Sequence, residues 1–129
     1  MEIQNPMCFA CGSDNPIGLR LQFQDDAWVA QTEFMPKPEY QGYQGILHGG
    51  LISTLLDEVM ARPLVMQGIR AVTAKMEVRF RKAAPIGGRL LARAELAGQR
   101  GRVYEMKAVI KTGDGDTIAE ATATFMAVE

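Results

Sequence analysis

Only one stretch of this 129-residue chain carries a helical period. Leu51, Ile52, Leu55, Leu56, Val59 and Met60 recur at three- and four-residue spacing, with Ser53, Thr54, Asp57 and Glu58 between them. That spacing predicts an amphipathic helix with a wide apolar face, entered directly from Gly49-Gly50 and interrupted near Pro63. A single helix cannot bury its own apolar face, so the rest of the chain must cover it.

The remainder alternates with a period of two, as half-buried strands do. Residues 19–23 and 28–34 read as a hairpin with its turn at Asp25-Asp26, ended by Pro36-Lys37-Pro38. A glycine-rich loop over 40–50 leads into the helix. Residues 71–81, 90–96, 103–111 and 117–128 read as four further strands, joined by turns at 84–88, at Gly98-Gln99-Arg100-Gly101 and at Asp114-Gly115. The predicted class is α+β, an antiparallel β-sheet wrapped around one long central α-helix. It forms a single domain over 1–129, with a turn-rich N-terminal loop at 1–18. One helix covers one face only, so self-association is expected at the sheet's edge and outer face.

Composition narrows the function classes. Fourteen Lys and Arg against fifteen Asp and Glu give a formal net charge of −1, which argues against nucleic acid or an anionic membrane surface as partner. Apolar windows such as Leu64-Val65-Met66 are far too short to span a bilayer. Residues 1–5 lack the basic start and apolar run of a signal peptide, and two thiols without a distant partner suit a reducing compartment. A cytoplasmic location is therefore expected. One histidine, His48, and two cysteines, Cys8 and Cys11, cannot build a multi-histidine metal centre or a disulfide framework, and no metal site is expected. Cys8-x-x-Cys11-Gly12 has the form of half a zinc knuckle or of a redox pair. A four-thiolate site would need two subunits, and a redox pair wants a strand-to-helix setting that this loop lacks. An ordered loop is the simplest reading.

The segment richest in chemistry is Gly45-Ile46-Leu47-His48-Gly49-Gly50 followed by Asp57-Glu58. Glycines at a helix start let a ligand approach free N–H groups, where the dipole favours developing negative charge. That is a natural oxyanion hole. A carboxylate pair follows two turns later. A flexible helix entry and a solvated acidic face would leave the same pattern.

Gly45-x-x-His48-Gly49-Gly50, six residues, then Asp57 resembles the signature of the hotdog-fold acyl-CoA thioesterases. Within them it is similar to the branch typified by phenylacetyl-CoA thioesterase. Cys8-x-x-Cys11-Gly12-x-x-Asn15-Pro16-x-Gly18-Leu19 is similar to a segment of many bacterial members. The resemblance implies a hotdog fold, an acyl-CoA substrate and no cofactor beyond the coenzyme A that the substrate carries. It implies Asp57 as general base or nucleophile. The Gly49 N–H would be the oxyanion donor, and Thr73 the hydroxyl holding the water. His48 would order the loop and, with Gly50, line the acyl site. Some relatives place an asparagine six residues before the histidine. Gly42 stands there instead, leaving Gln41 or Gln44 to substitute. Arg100, Gly101 and Arg102, and Phe80-Arg81-Lys82, are the two candidate sites for the nucleotide phosphates. Glu58 is expected to be structural or to contact the dimer partner.

Geometry adds a constraint of its own. Eight positions along one helix separate Gly49 from Asp57 by about 12 Å at 1.5 Å per residue. One thioester carbonyl cannot touch both, so a site using both is shared by two subunits, in a homodimer or a dimer of dimers. Two alternatives stand: a non-catalytic acyl-CoA-binding dimer, and a dehydratase or hydratase on the same fold using His48 with Asp57. Ser13 and Ser53 are the only serines, and neither lies in a nucleophile elbow.

Overall fold

The computed structural model describes residues 4–128; of the opening segment read as leaderless, residues 1–3 lie outside it, as does Glu129. β1 (Phe23–Asp26) and β2 (Val29–Phe34) form a hairpin, and one turn of 3-10 helix (Pro38–Tyr40) precedes α1 (Gly49–Met66). β3 (Ala71–Phe80), β4 (Leu90–Arg100), β5 (Val103–Thr112) and β6 (Thr117–Ala127) complete one six-stranded sheet in the order β1-β2-β4-β5-β6-β3. Every pairing is antiparallel. The expected hotdog architecture is present.

The helical period does what it should. Leu55, Leu56, Val59, Met60 and Leu64 are buried against Leu90, Met106, Ile110, Ile118 and Phe125 of the sheet. Between these large residues the concave face is lined by small ones. Ala30, Ala92, Ala94, Ala108, Ala119, Ala121 and Ala123 are all buried, which lets the sheet close around a helix without aromatic bulk.

Four expectations need correction. Leu19 and Leu21 alternate, but the segment is not a strand. Their N–H groups donate to the carbonyls of Phe9 and Ala10 at 2.8 and 3.0 Å, and Arg20 adopts a positive φ of 54°. The hairpin therefore starts at Phe23 and turns at Ala27-Trp28, with Ala27 at φ 53°, not at Asp25-Asp26. Pro63 does not interrupt α1, which runs on to Met66. Only the final turn follows it, so its missing N–H forfeits one hydrogen bond while its ring is buried in the core. β4 continues through Gly98 and Gln99 to Arg100 because a bulge between Leu96 and Gly98 resets the alternation; the turn is Gly101-Arg102.

The sheet's two edges differ. β1 is four residues long, whereas β3 is ten and exposes Val72 and Phe80 at 45% and 56%. A long edge strand with apolar side chains and free backbone groups is a template for pairing.

Candidate active site

The loop before α1 is built around its first turn. His48 is the N-cap, and its Nδ1 accepts the Gly50 N–H at 2.8 Å. Its carbonyl accepts from Leu51 and Ile52 at 3.0 and 3.2 Å. Of the N–H groups orphaned at a helix start, that of Gly49 has no acceptor among the described residues. The His48 N–H donates to the Tyr40 carbonyl at 2.9 Å. Gly42 packs so closely that an added Cβ would lie 3.2 Å from His48 Cα, so an asparagine there would require the loop to give by a few tenths of an ångström. Gln41 is committed within the loop: its Nε2 donates to the Pro38 carbonyl at 2.8 Å, and its Oε1 accepts from the Gly45 N–H.

The Gly49 N–H opens beside a cleft of about 760 Å³ lined by Tyr43, Ile46, His48, Gly49, Ile52 and Phe80, among others. The Phe80 ring would stand 3.6 Å from a Cβ at Gly49, so it flanks the helix start. Arg81 and Lys82 line the same cleft, yet both are paired, with Glu120 at 3.4 Å and Asp116 at 3.0 Å.

Asp57 lies two turns further along α1 and does not line this cleft. Its Oδ1 accepts a hydrogen bond from Thr73 Oγ1 at 2.7 Å. A β3 bulge between Thr73 and Lys75 falls directly beside this contact. Such bulges re-aim side chains next to functional groups. Thr73 pairs with Phe125, Phe125 with Tyr104, and Tyr104 with Gln99. This cross-strand row puts the Arg100-Gly101-Arg102 turn at the Asp57 end of the sheet. Arg102 Nη2 donates to the Ala127 carbonyl at 2.9 Å, while the Arg100 side chain makes no ion pair or hydrogen bond among the described residues.

Glu58, the next residue, meets the N-terminal loop instead. Its carboxylate lies close to the thiols of Cys8 and Cys11. Burial raises the Glu58 carboxyl above its ordinary value, and the adjacent Asp57 adds to the effect; a hydrogen bond from Cys11 opposes it. Burial, then the charge of Glu58, pushes the Cys11 thiol far up.

Comparison with known proteins gives the family. The model of the thioesterase superfamily matches residues 44–119, more than half of the chain and the whole span from the glycine loop into β6. The chain belongs to the thioesterase superfamily. It is 29% identical over 90 residues to the acyl-coenzyme A thioesterase THEM4 of Mus musculus, a match covering 69% of this chain and 39% of that protein. It thus spans well under half the length of the curated relatives it matches. Its fold is similar to that of the Escherichia coli PaaI protein, with a TM-score of 0.82 at 20% identity, covering 86% of this chain and 81% of that one. A hypothetical thioesterase from Streptococcus pneumoniae, solved with coenzyme A, gives a TM-score of 0.80 at 20% identity, covering 84% and 85%.

In this superfamily member the residues singled out from sequence divide into two sets. His48, Gly49, Gly50, Phe80 and Arg81 gather at the start of α1. Asp57, Thr73, Arg100, Gly101 and Arg102 lie toward the other end of β3, with Asp57 about 12 Å from Gly49 along the helix axis. Gln44 belongs to neither; it is exposed and does not line the cleft. Sequence reasoning missed Tyr43, Ile46 and Ile52 as lining residues. Ile52 stands three residues after Gly49, a spacing that puts both on one helix face.

Proposed function

We propose that this chain hydrolyses an acyl-CoA thioester to a free acid and coenzyme A, at a site completed by a second copy. One observation carries the reading. A carboxylate aligned by a hydroxyl, Asp57 with Thr73, and an unsatisfied N–H, that of Gly49, sit on one helix yet about 12 Å apart along its axis. Two β3 strands paired antiparallel about a two-fold axis would bring Asp57 of one chain to Gly49 of the partner subunit. That pairing would also cover the free edge of β3. A dimer of dimers would use the outer sheet face.

The reaction balances with these groups alone. Asp57 takes a proton from water as the water oxygen attacks the thioester carbon. The carbonyl oxygen, now negative, rests against the N–H of the partner's Gly49 at the positive end of α1. The C–S bond breaks, coenzyme A leaves as thiolate, and it recovers the proton. Direct attack by Asp57, with an anhydride opened by water, uses the same groups. Of the candidate cations, Arg81, Lys82 and Arg102 are engaged, and Arg100, without a partner among the described residues, is the one we assign to the nucleotide phosphates. A dehydratase role for His48 is disfavoured because Nδ1 is occupied as an acceptor, which leaves Nε2 as the proton-bearing nitrogen of the neutral ring.

The test is thiol release from short, medium, long and aromatic acyl-CoAs. Turnover that collapses in Asp57→Ala supports the reading. Saturable binding without turnover supports a binding protein. For the shared site, an inactive Gly49→Pro chain is mixed with an inactive Asp57→Ala chain. Half of the dimers are then mixed and each holds one intact site of two, so roughly a quarter of wild-type activity returns. No recovery despite proven mixed dimers would sink the shared site.

A further inference from the structure

We propose that Cys8, Cys11 and Glu58 form a binding site for one zinc-class divalent cation, clamping the N-terminal loop onto α1. The expectation of no metal counted one histidine and two cysteines and left out a carboxylate that the fold delivers. One sulfur from each cysteine and one Glu58 carboxylate oxygen all lie within 4.8 Å of one another. A tetrahedral zinc with bonds of about 2.3 Å to sulfur and about 2.1 Å to oxygen holds its ligands roughly 3.6 Å apart. Side-chain shifts of about 1 Å would close that gap.

The loop is shaped to present both sulfurs to one point. The Cys11 N–H donates to Cys8 Sγ at 3.5 Å, and the Gly12 N–H to the Cys8 carbonyl at 2.8 Å. A Cβ at Gly12 would stand 2.3 Å from the Pro6 carbonyl oxygen and 2.5 Å from the Cys8 nitrogen, so only glycine permits this turn. The rest is equally fixed: the Asp14 N–H donates to the Pro6 carbonyl at 2.9 Å, and Asn15 Nδ2 to that of Met7 at 3.1 Å.

Glu58 supplies the second line of argument. It is half-buried and forms no ion pair among the described residues. The nearest candidate, Arg62 one turn later, is held by Asp25 at 3.1 Å and lies over the Phe23 ring at 4.9 Å. A partly buried carboxylate beside two thiols, with Arg62 paired to Asp25 and acting on it only through space, lacks a countercharge in direct contact. A divalent cation supplies it. Two sulfurs and one oxygen select a borderline metal such as zinc over magnesium or calcium, which take oxygen ligands. Water would fill the fourth position, since the site opens on a cleft that Asn5 and Ser13 also line.

Cobalt(II) is the probe, titrated anaerobically into reduced, chelator-treated protein, followed by competition with zinc. The expected result is one cobalt per chain, with thiolate-to-cobalt charge-transfer bands and the visible bands of a tetrahedral ion, displaced by zinc. Zinc should also raise Tm and slow alkylation of both thiols. Cys8→Ser and Cys11→Ser should remove the bands, and Glu58→Gln should weaken cobalt at least tenfold while leaving charge-transfer intensity at saturation. If the cysteine variants do not fold, thiol protection in the wild-type chain decides alone. The proposal is overturned by the absence of cobalt bands while both thiols titrate as free. One metal per two chains, or affinity indifferent to Glu58→Gln, would overturn it equally. None of these readouts depends on thioesterase activity.

Discussion

Gly49→Pro removes one hydrogen atom's worth of chemistry with little structural disturbance. Gly49 is the first helical residue after the N-cap, a position where proline is favoured because its N–H has no intrahelical acceptor. The residue before a proline is pushed toward extended backbone, and His48 already sits at φ −59° and ψ 131°. A side chain at position 49 meets only the Phe80 ring, at 3.6 Å, an ordinary van der Waals contact. The substitution should therefore leave Tm within a few degrees of wild type while deleting the oxyanion donor. Loss of one such donor costs roughly 100- to 1,000-fold in kcat. Gly49→Ala, which adds the same Cβ but keeps the N–H, separates the chemical effect from the steric one. Steady-state thiol release on both variants, with Tm and circular dichroism as folding controls, makes the comparison. Two results would refute the reasoning: Gly49→Pro folded and active within a few fold of wild type, or Gly49→Ala as damaged as Gly49→Pro.

Thr73→Val deletes the hydroxyl that Asp57 accepts from while keeping its shape. A hydrogen bond to a charged group in a partly solvated place is worth about 1 kcal/mol, so kcat should fall about five-fold with KM unchanged, and Thr73→Ser should restore it. Arg100→Ala should raise KM about five-fold, an effect that shrinks at high salt; Arg102→Ala should also lower Tm, because Arg102 ties the hairpin to Ala127. Glu58 sets a pH dependence in metal-free protein. Its carboxyl is raised in the fold above the ordinary 4.5, so folded chains hold the proton longer and stability falls as pH climbs from 4.5 through the folded value. Glu58→Gln should match wild-type Tm below that window and exceed it by a growing margin across it. A margin that stays constant with pH would contradict the assignment.

What the sequence disclosed depends on which physical signal each feature leaves. The helix was legible because Leu51 to Met60 repeats at its own period and the core demands those residues; its end was not, because Pro63 has only one turn left to disturb. Leu19 and Leu21 misled for a definite reason. Alternation reports which side chains are buried, and Leu21 is 5% exposed, but its backbone pairs with the N-terminal loop and not with a strand. The β4 bulge between Leu96 and Gly98 likewise put the alternation out of phase and hid four residues of strand. At the site, the glycines at a helix start spoke for Gly49 directly, whereas Thr73 had only the resemblance to recommend it. The approach of Cys8 and Cys11 to Glu58 left no local signal at all, since it exists only once the loop has folded back along α1.

Asp57 and Glu58 show how one helix serves two tasks with adjacent carboxylates. Successive residues on a helix point about 100° apart, so the pair cannot share a neighbourhood. Asp57 faces β3 and the Thr73 hydroxyl, and Glu58 faces the Cys8 and Cys11 loop. A carboxylate about 6 Å from the helix axis moves about 1 Å for every 10° that the helix turns about that axis. A displacement of that size at a reacting group can cost about 100-fold in rate. Leu55, Leu56, Val59 and Met60 resist such a turn through their packing against the sheet. Thr73 and the N-terminal loop grip the helix from two other directions at the very residues where aim matters. The turn-rich loop before the first strand is thus placed to govern the orientation of Asp57, and a cation held between loop and helix would stiffen that grip.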